Sequence, residues 1–180
     1  MKTDSSSYQV TPVGKIVRHN INAACKLLDD EYYEIDVLFK REDFNTLNSQ
    51  IEKGIIGYEK EASKIYDHSF NGRHENWIKE DTKDGVVVHF KIARLDKLNT
   101  KGPKENKVSI FDVDRDYIED RNWPMLREND SVKISYDPWH FSYPINCEDA
   151  IHTSGVILRL KAILITEQNT KYKNPAYFGF

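Results

Sequence analysis

Residues 155–168, GVILRLKAILITEQ, repeat their character every second position: Val156, Leu158, Leu160, Ala162 and Leu164 form one row, and Ile157, Arg159, Lys161, Ile163 and Ile165 the other. A helix brings residues three and four apart onto one face, whereas a strand brings every second residue, so this segment is committed to a strand. The same period governs YYEIDVLFK (32–40), where Tyr33, Ile35, Val37 and Phe39 oppose Glu34, Asp36, Leu38 and Lys40. It returns in GVVVHFKIARLDK (85–97), with Val86, Val88, Phe90 and Ile92 opposite Val87, His89, Lys91 and Ala93. GKIVRHNI, NKVSIFDVD and DSVKISYDPWHFSYPI add shorter strand signals. REDFNTLNSQIEKGIIGYEKEASKIY (41–66) instead spaces Phe44, Leu47, Ile51 and Ile55 by three and four, which predicts a helix, with Asp43 as its cap and a break near Gly54 and Gly57. The polar run 67–84 has no period and reads as a loop that holds Phe70 and Trp77 against the body of the protein. About five strands and one principal helix make a mainly β inventory, that of a small barrel or sandwich.

A chain of 180 residues buries a substantial core as one domain. Its first ten residues are serine-rich and non-periodic and are expected to be disordered. No apolar run approaches the roughly 18 residues of a membrane span, and MKTDSSSYQVTPVG lacks an apolar targeting segment, so the expected compartment is the cytoplasm. Cys25 and Cys147 are far apart and read as free thiols. Net charge is −3, so an anionic partner requires a local basic patch. Lysines 97, 101, 104 and 107 cluster against Glu105, acids dominate 112–130, and the stretch from Arg159 onward is basic again.

Catalytic and metal motifs are missing. Asp112, Asp114 and Asp116 imitate a calcium loop, but Tyr117 stands where glycine is required and Trp123 where a bidentate glutamate is required. Cys147 and His152 lack a second ligand pair, and His68 and His74 are likewise isolated in sequence. No nucleophile elbow, phosphate loop or zinc-protease motif occurs. The reading is therefore a non-enzyme with neither cofactor nor metal.

What remains is a run of aromatic residues in SVKISYDPWHFSYPI (131–145): Tyr136, Trp139, His140, Phe141 and Tyr143. Basic residues interleave with them on the strands: Lys91 and Arg94, Lys133 beside Tyr136 and Trp139, and Arg159 with Lys161. Single-stranded nucleic acid needs rings on which unstacked bases lie and cations along its phosphates. The same residues also suit a solvated strand face and an ordinary aromatic core.

In order along the chain, TPVGKIVRHNI, YYEIDVLFKREDFNTLNSQI, DGVVVHFKIA, VSIFDVDRDYI, LRENDSVKISYDPWHF, SGVILRLKAILITEQ and a terminal AYFGF resemble the phage single-stranded DNA-binding proteins of the bacteriophage T7 type. The resemblance rests on the order of segments and covers 11–168. It implies an OB-fold, a five-stranded Greek-key barrel, with sequence-independent binding of single-stranded DNA in phage replication and recombination. It also implies phage replication proteins (polymerase, helicase-primase) as partners, with a homodimer as a further state. The implied domain is 11–168, followed by a flexible tail over 169–180. That tail departs from the family's acidic pattern, since it holds Lys171 and Lys173 and no acid before Phe180. The DNA-binding residues expected on this reading are Lys91, Arg94, Lys133, Tyr136, Trp139, Phe141, Tyr143, Arg159 and Lys161, with Trp139 and Phe141 as the stacking pair. Alternation turns Val132, Ile134 and Tyr136 inward, while Pro138 and Pro144 are expected to end strand pairing and leave the other rings on a loop at the barrel rim. The rival reading is a phage structural or adaptor β-domain making protein contacts through the same rings. A nuclease using Asp112 and Asp114 ranks last, because neither has a catalytic partner at a motif spacing.

Overall fold

The computed structural model describes residues 8–21, 25–27, 30–97, 100–119, 126–145 and 151–169. Cys147, Trp123 and the tail from 170 onward lie outside them. In chain order the elements are β1 (Gln9–Val10), β2 (Gly14–His19), β3 (Cys25–Leu27), β4 (Asp30–Phe39), α1 (Arg41–Tyr66), β5 (Ser69–His74) and β6 (Ile78–Thr82). There follow β7 (Gly85–Ala93), β8 (Leu95–Asp96), β9 (Lys104–Glu105), β10 (Ser109–Phe111), β11 (Tyr117–Ile118), β12 (Ser131–Pro144) and β13 (Ile151–Glu167).

Alternation closes these strands around one core. β2, β4, β7, β13 and β12 pair in that order, and β12 returns to β2, giving a ring of five strands. The β7–β13 contact is parallel and rests on the pair Lys91 and Arg159, so the barrel is nearly open there. Ile35, Val37, Phe39, Val88, Phe90, Val132, Ile134 and Tyr136 fill the interior with Val156, Leu158, Leu160, Ile163 and Ile165. The architecture is mainly β with one helix, as expected, and its five-strand ring agrees with an OB-type barrel.

Several local expectations are corrected. The two rows read on β13 do not run its whole length. Ser135 pairs with Ala162 and Tyr136 with Leu160, leaving Lys161 as the extra residue of a bulge. The inward row therefore switches from Leu160 to Ile163, while Ala162 and Leu164 are only half-buried. Residues 67–84 are no loop: β5 pairs with β13 and β6 with β7, and Trp77 is buried with its ring stacked on Phe44 at 5.9 Å. Their polar side chains conceal the strand signal because they face solvent on short edge strands. Gln9–Val10 are not disordered, since they pair with Tyr136 and Ser135; residues 1–7 lie outside the described residues.

The helix is continuous through Gly54 and Gly57, and its first residue follows Lys40, with no side-chain cap. Glu42 and Asp43 occupy the first turn, where they complement the helix dipole. Burial of Phe44, Leu47, Ile51 and Ile55 on one face outweighs the ~1 kcal/mol that each interior glycine costs relative to alanine. Gly54 has a positive reason to be there: a Cβ at that position would come 2.9 Å from Nε2 of His140.

On the outer wall of β4 and β7, Asp36 is buried between His89 and Arg18. Its Oδ1 lies 2.6 Å from Nδ1 of His89, and Arg18 Nη2 lies 2.9 Å from its Oδ2. Burial pushes this carboxyl up, but the His89 hydrogen bond and charge, with Arg18, outweigh it and hold the group below the ordinary carboxylate range. A depressed carboxyl contributes stability that is present above its unfolded value, 3.8, and lost as pH falls through its folded value. Asp36→Asn should therefore lower stability at neutral pH by about 1–3 kcal/mol, the cost of weakening the buried contact with His89. It should also flatten the acid limb of a stability–pH curve below about pH 4 relative to wild type, as read by urea denaturation.

Candidate nucleic-acid interface

β12 and β13 stay paired from Ser131 with Glu167 to Pro144 with His152, so they run past the barrel wall as an arm, to whose β13 edge β5 adds a third strand. Pro138 and Pro144 do not end this pairing. Beyond Tyr136 the other edge of β12 has no neighbour among the described residues, so a proline there forfeits no ladder bond. The rings thus stand on a strand rather than on a loop.

Alternation gives the arm two faces. On its back, His140 stacks on Tyr58 of α1 at 5.7 Å, and the Tyr58 hydroxyl lies 3.0 Å from Oγ of Ser142. Burial there lowers the His140 pKa, with the Asp137 charge working against it. Ser154 Oγ donates to Glu59 at 2.6 Å, and Arg73 bridges Glu59 and Glu52 of the helix to the arm. The helix is therefore the support that holds the arm straight.

On the front face Trp139, Phe141 and Tyr143 form a ladder, with ring centroids 5.8 Å and then 6.2 Å apart and planes tilted by 30° and 8°. His74 continues it, 5.1 Å from Tyr143. Phe141 lies over Gly155, its cross-strand partner, where a Cβ would come 2.4 Å from the ring. Trp139 is 43% exposed and Tyr143 42%, while Phe141 between them is half-buried.

The ladder opens at its barrel end onto a groove of about 390 Å³, lined by Tyr32, Lys91, Lys97, Trp139, Arg159 and Lys161, among others. Four of its lining residues are cationic and one, Asp96, is acidic, so a chain of net charge −3 carries a positive groove. Lys91 Nζ sits 5.4 Å above the Tyr32 ring, and Lys161 Nζ 6.0 Å from the Tyr8 ring. Arg159 is ion-paired with Asp137, and its Nε is buried without a hydrogen-bond partner among the described residues. Arg159 and Lys161, two apart on one row of β13, share the groove with Lys91 across the β7–β13 bridge.

Of the residues expected from sequence, the fold gathers Lys91, Trp139, Arg159 and Lys161 into the groove and places Phe141 and Tyr143 along the ladder. Three are not gathered. Tyr136 is fully buried against Phe90, with its hydroxyl donating to Gln9 Oε1 at 2.7 Å, and burial raises its pKa. It is a core residue. Arg94 is held by Glu31 at 2.6 Å and Glu105 at 3.3 Å and does not line the groove. Lys133 lies six residues before Trp139, about 20 Å away along an extended strand. Sequence reasoning missed Tyr32, Lys97 and His74. Tyr32 shares a row with Glu34 and Asp36, which marks it as outward, but only the pairing of Tyr32 with Ala93 sets it beside Lys91. Among the described residues no group of three or more His, Cys, Asp or Glu is placed to hold a metal ion, and no helix is long and apolar enough to cross a membrane.

Known structures share this architecture. The single-stranded DNA-binding protein gp2.5 of bacteriophage T7 superposes with a TM-score of 0.70 at 14% identity, over 93% of this chain and 96% of that one. The single-stranded DNA-binding protein of bacteriophage Enc34, in complex with single-stranded DNA, gives 0.61 at 12% identity, over 92% and 89%. No protein-family model and no curated protein matches the sequence. At such identity the likeness establishes a common fold, and that fold is the one of phage single-stranded DNA-binding proteins.

The two kinds of ring on β12 separate cleanly by mutation. Tyr136→Ala should cost about 3–5 kcal/mol of folding stability, since it empties a core site, whereas Trp139→Ala should cost only about 1 kcal/mol, because its ring stands outside the core and the residue is 43% exposed. Chemical denaturation of both variants measures the difference.

Proposed function

We propose that this protein binds single-stranded DNA without sequence preference, coating it during phage replication, recombination and repair in the host cytoplasm, and that it is not an enzyme. The observation that carries the reading is the ladder of Trp139, Phe141 and Tyr143 opening onto the groove of Lys91, Lys97, Arg159 and Lys161. Steps of 5.8 and 6.2 Å between rings exceed the ~3.4 Å rise between bases of a duplex strand. A strand following the ladder is thus stretched, its bases parted from one another and free to lie on the rings. Paired and stacked bases have no such freedom. Every base offers a π-face and every nucleotide a phosphate, so the recognition is indifferent to sequence.

The fold supports the same reading. OB-type barrels bind oligonucleotides on the face of their second and third strands and between the loops flanking it; here the face is that of β4 and β7, beside the arm made by β12 and β13. A structural neighbour of 12% identity is seen with single-stranded DNA. Phage replication proteins as partners and a homodimer belong to this proposal as its further parts.

Titration with fluorescent oligo-dT tests it. Wild type should bind single strands more tightly than duplex, and its log affinity should fall against log salt by about 0.7 per phosphate contacted. Charge reversal at Lys91, Arg159 and Lys161 should flatten that slope. Trp139→Ala should lose about 1–3 kcal/mol of binding for the base it stacks, and Trp139→Phe should keep binding while most of the fluorescence quenching disappears. Equal affinity for duplex and single strand, or none for either, would reject the reading and leave the ladder as a protein-contact surface.

A further inference from the structure

Where β7 and β13 part beyond their Lys91–Arg159 bridge, a second, smaller cavity of about 90 Å³ opens between β6, β7 and β13. Its lining includes Asn76, Trp77, Lys79, His89 and Lys91, with Val156, Ile157 and Leu158 as its apolar side. No acid lines it. Two carboxylates contact a lining residue from behind, both at His89: Asp36 is 2.6 Å from its Nδ1 and Glu34 3.9 Å from its Nε2. Trp77 is 2% exposed, stacks on Phe44, and its indole N–H is buried without a hydrogen-bond partner among the described residues. A buried donor of this kind costs free energy unless something accepts from it.

The position of Lys79 gives that observation a direction. β6 pairs Ile78 with Val88 and next Glu80 with Val87, so Lys79 is the extra residue of a bulge. Bulges turn a side chain out of the strand's alternation, and this one leaves a lysine on the lining of the cavity. Two ammonium groups and an amide on the lining, with no acid among the lining residues, describe a site for an oxyanion. The cavity is smaller than the groove, about 90 Å³ against about 390 Å³. Lys91 and Ile157 line both spaces, so the cavity adjoins the groove directly.

We infer that this cavity is a phosphate subsite, which receives one backbone phosphate of a single strand lying in the groove, with Lys79 and Lys91 as its cations and Trp77 in its wall. The inference rests on the single-strand reading above and adds a contact that neither the ladder nor the groove contains. It also gives the strand a direction of exit, from Trp139 across Ile157 toward β6.

The test compares Lys79→Gln with Lys64→Gln, an exposed lysine on α1, by oligo-dT titration over a range of salt. Neither substitution touches the core, so both variants fold. Lys79→Gln should weaken binding and reduce the log–log salt slope by about 0.7, the value of one phosphate contact on a single strand, and Lys64→Gln should leave the slope unchanged. In parallel, the indole N–H resonance that disappears in Trp77→Phe should shift in the wild-type spectrum on saturation with oligo-dT. An unchanged slope in Lys79→Gln, an equal change in both lysine variants, or an unmoved Trp77 resonance would each overturn the subsite while wild-type binding stands. Absence of wild-type binding would instead overturn the reading on which it rests.

Discussion

The pairing of β12 with β13 is the constraint on which the other features depend. It begins inside the barrel, with Val132 and Ile134 in the core, and continues without interruption to Pro144 and His152 outside it. One ladder of hydrogen bonds therefore builds part of the wall and then carries the display surface away from it. The bulge at Lys161 is what lets the same strand serve both purposes. It changes which row faces inward and adds local twist, so Leu160 and Ile163 both reach the core, while Arg159 and Lys161, on one row before the change of phase, line the groove. β5 adds a third strand to the arm along β13, and packing against a helix completes what such a small sheet needs to be stable in water. Tyr58, Glu59 and Gly54 of α1 meet His140, Ser142 and Ser154 and supply the missing layer.

Charge is distributed by type as well as by place. Arg18, Arg41, Arg73 and Arg94 are all engaged with carboxylates that tie strands or helix together. The groove is left mainly to lysines, with Arg159 as the exception and Asp137 at its side. Guanidinium groups suit fixed, forked contacts, whereas an ammonium on a flexible stem is a point charge that accommodates many geometries. Such a division fits a surface that meets phosphates without reading bases. It also explains how a chain with more acids than bases presents a positive groove: much of its acid is consumed in internal pairs or lies on other faces.

Part of the site could be read along the chain. Lys91, Arg159 and Lys161 were legible because each interrupts an apolar alternation with a charge, and a charge in such a row must face water. Trp139, Phe141 and Tyr143 were legible as displayed rings from their density in the run, but the loop expected after Pro138 concealed that, on a paired strand, their spacing of two sets them on one face. Tyr136 belongs to the same aromatic run but falls on the other parity, and burial rather than composition removed it from the site. Arg94 was misplaced because a sequence shows a cation but not the Glu31 and Glu105 that meet it.

The sequence by itself determined the class of the fold: two-residue alternation in β4, β7, β12 and β13 and a single helical period in α1 leave a mainly β domain, barrel or sandwich, with one helix. Those patterns are local, set by geometry that every residue imposes on its near neighbours. Only the tertiary structure decided that β5 and β6 exist, because edge strands with solvated side chains carry no apolar period. It alone decided the phase of β13 past Lys161, since a bulge is a property of two strands together and neither sequence marks it. The meeting of Tyr32, Lys91, Trp139 and Arg159 in one groove was likewise decided by pairing between strands far apart in the chain, where long-range register, rather than local pattern, fixes which outward residues become neighbours.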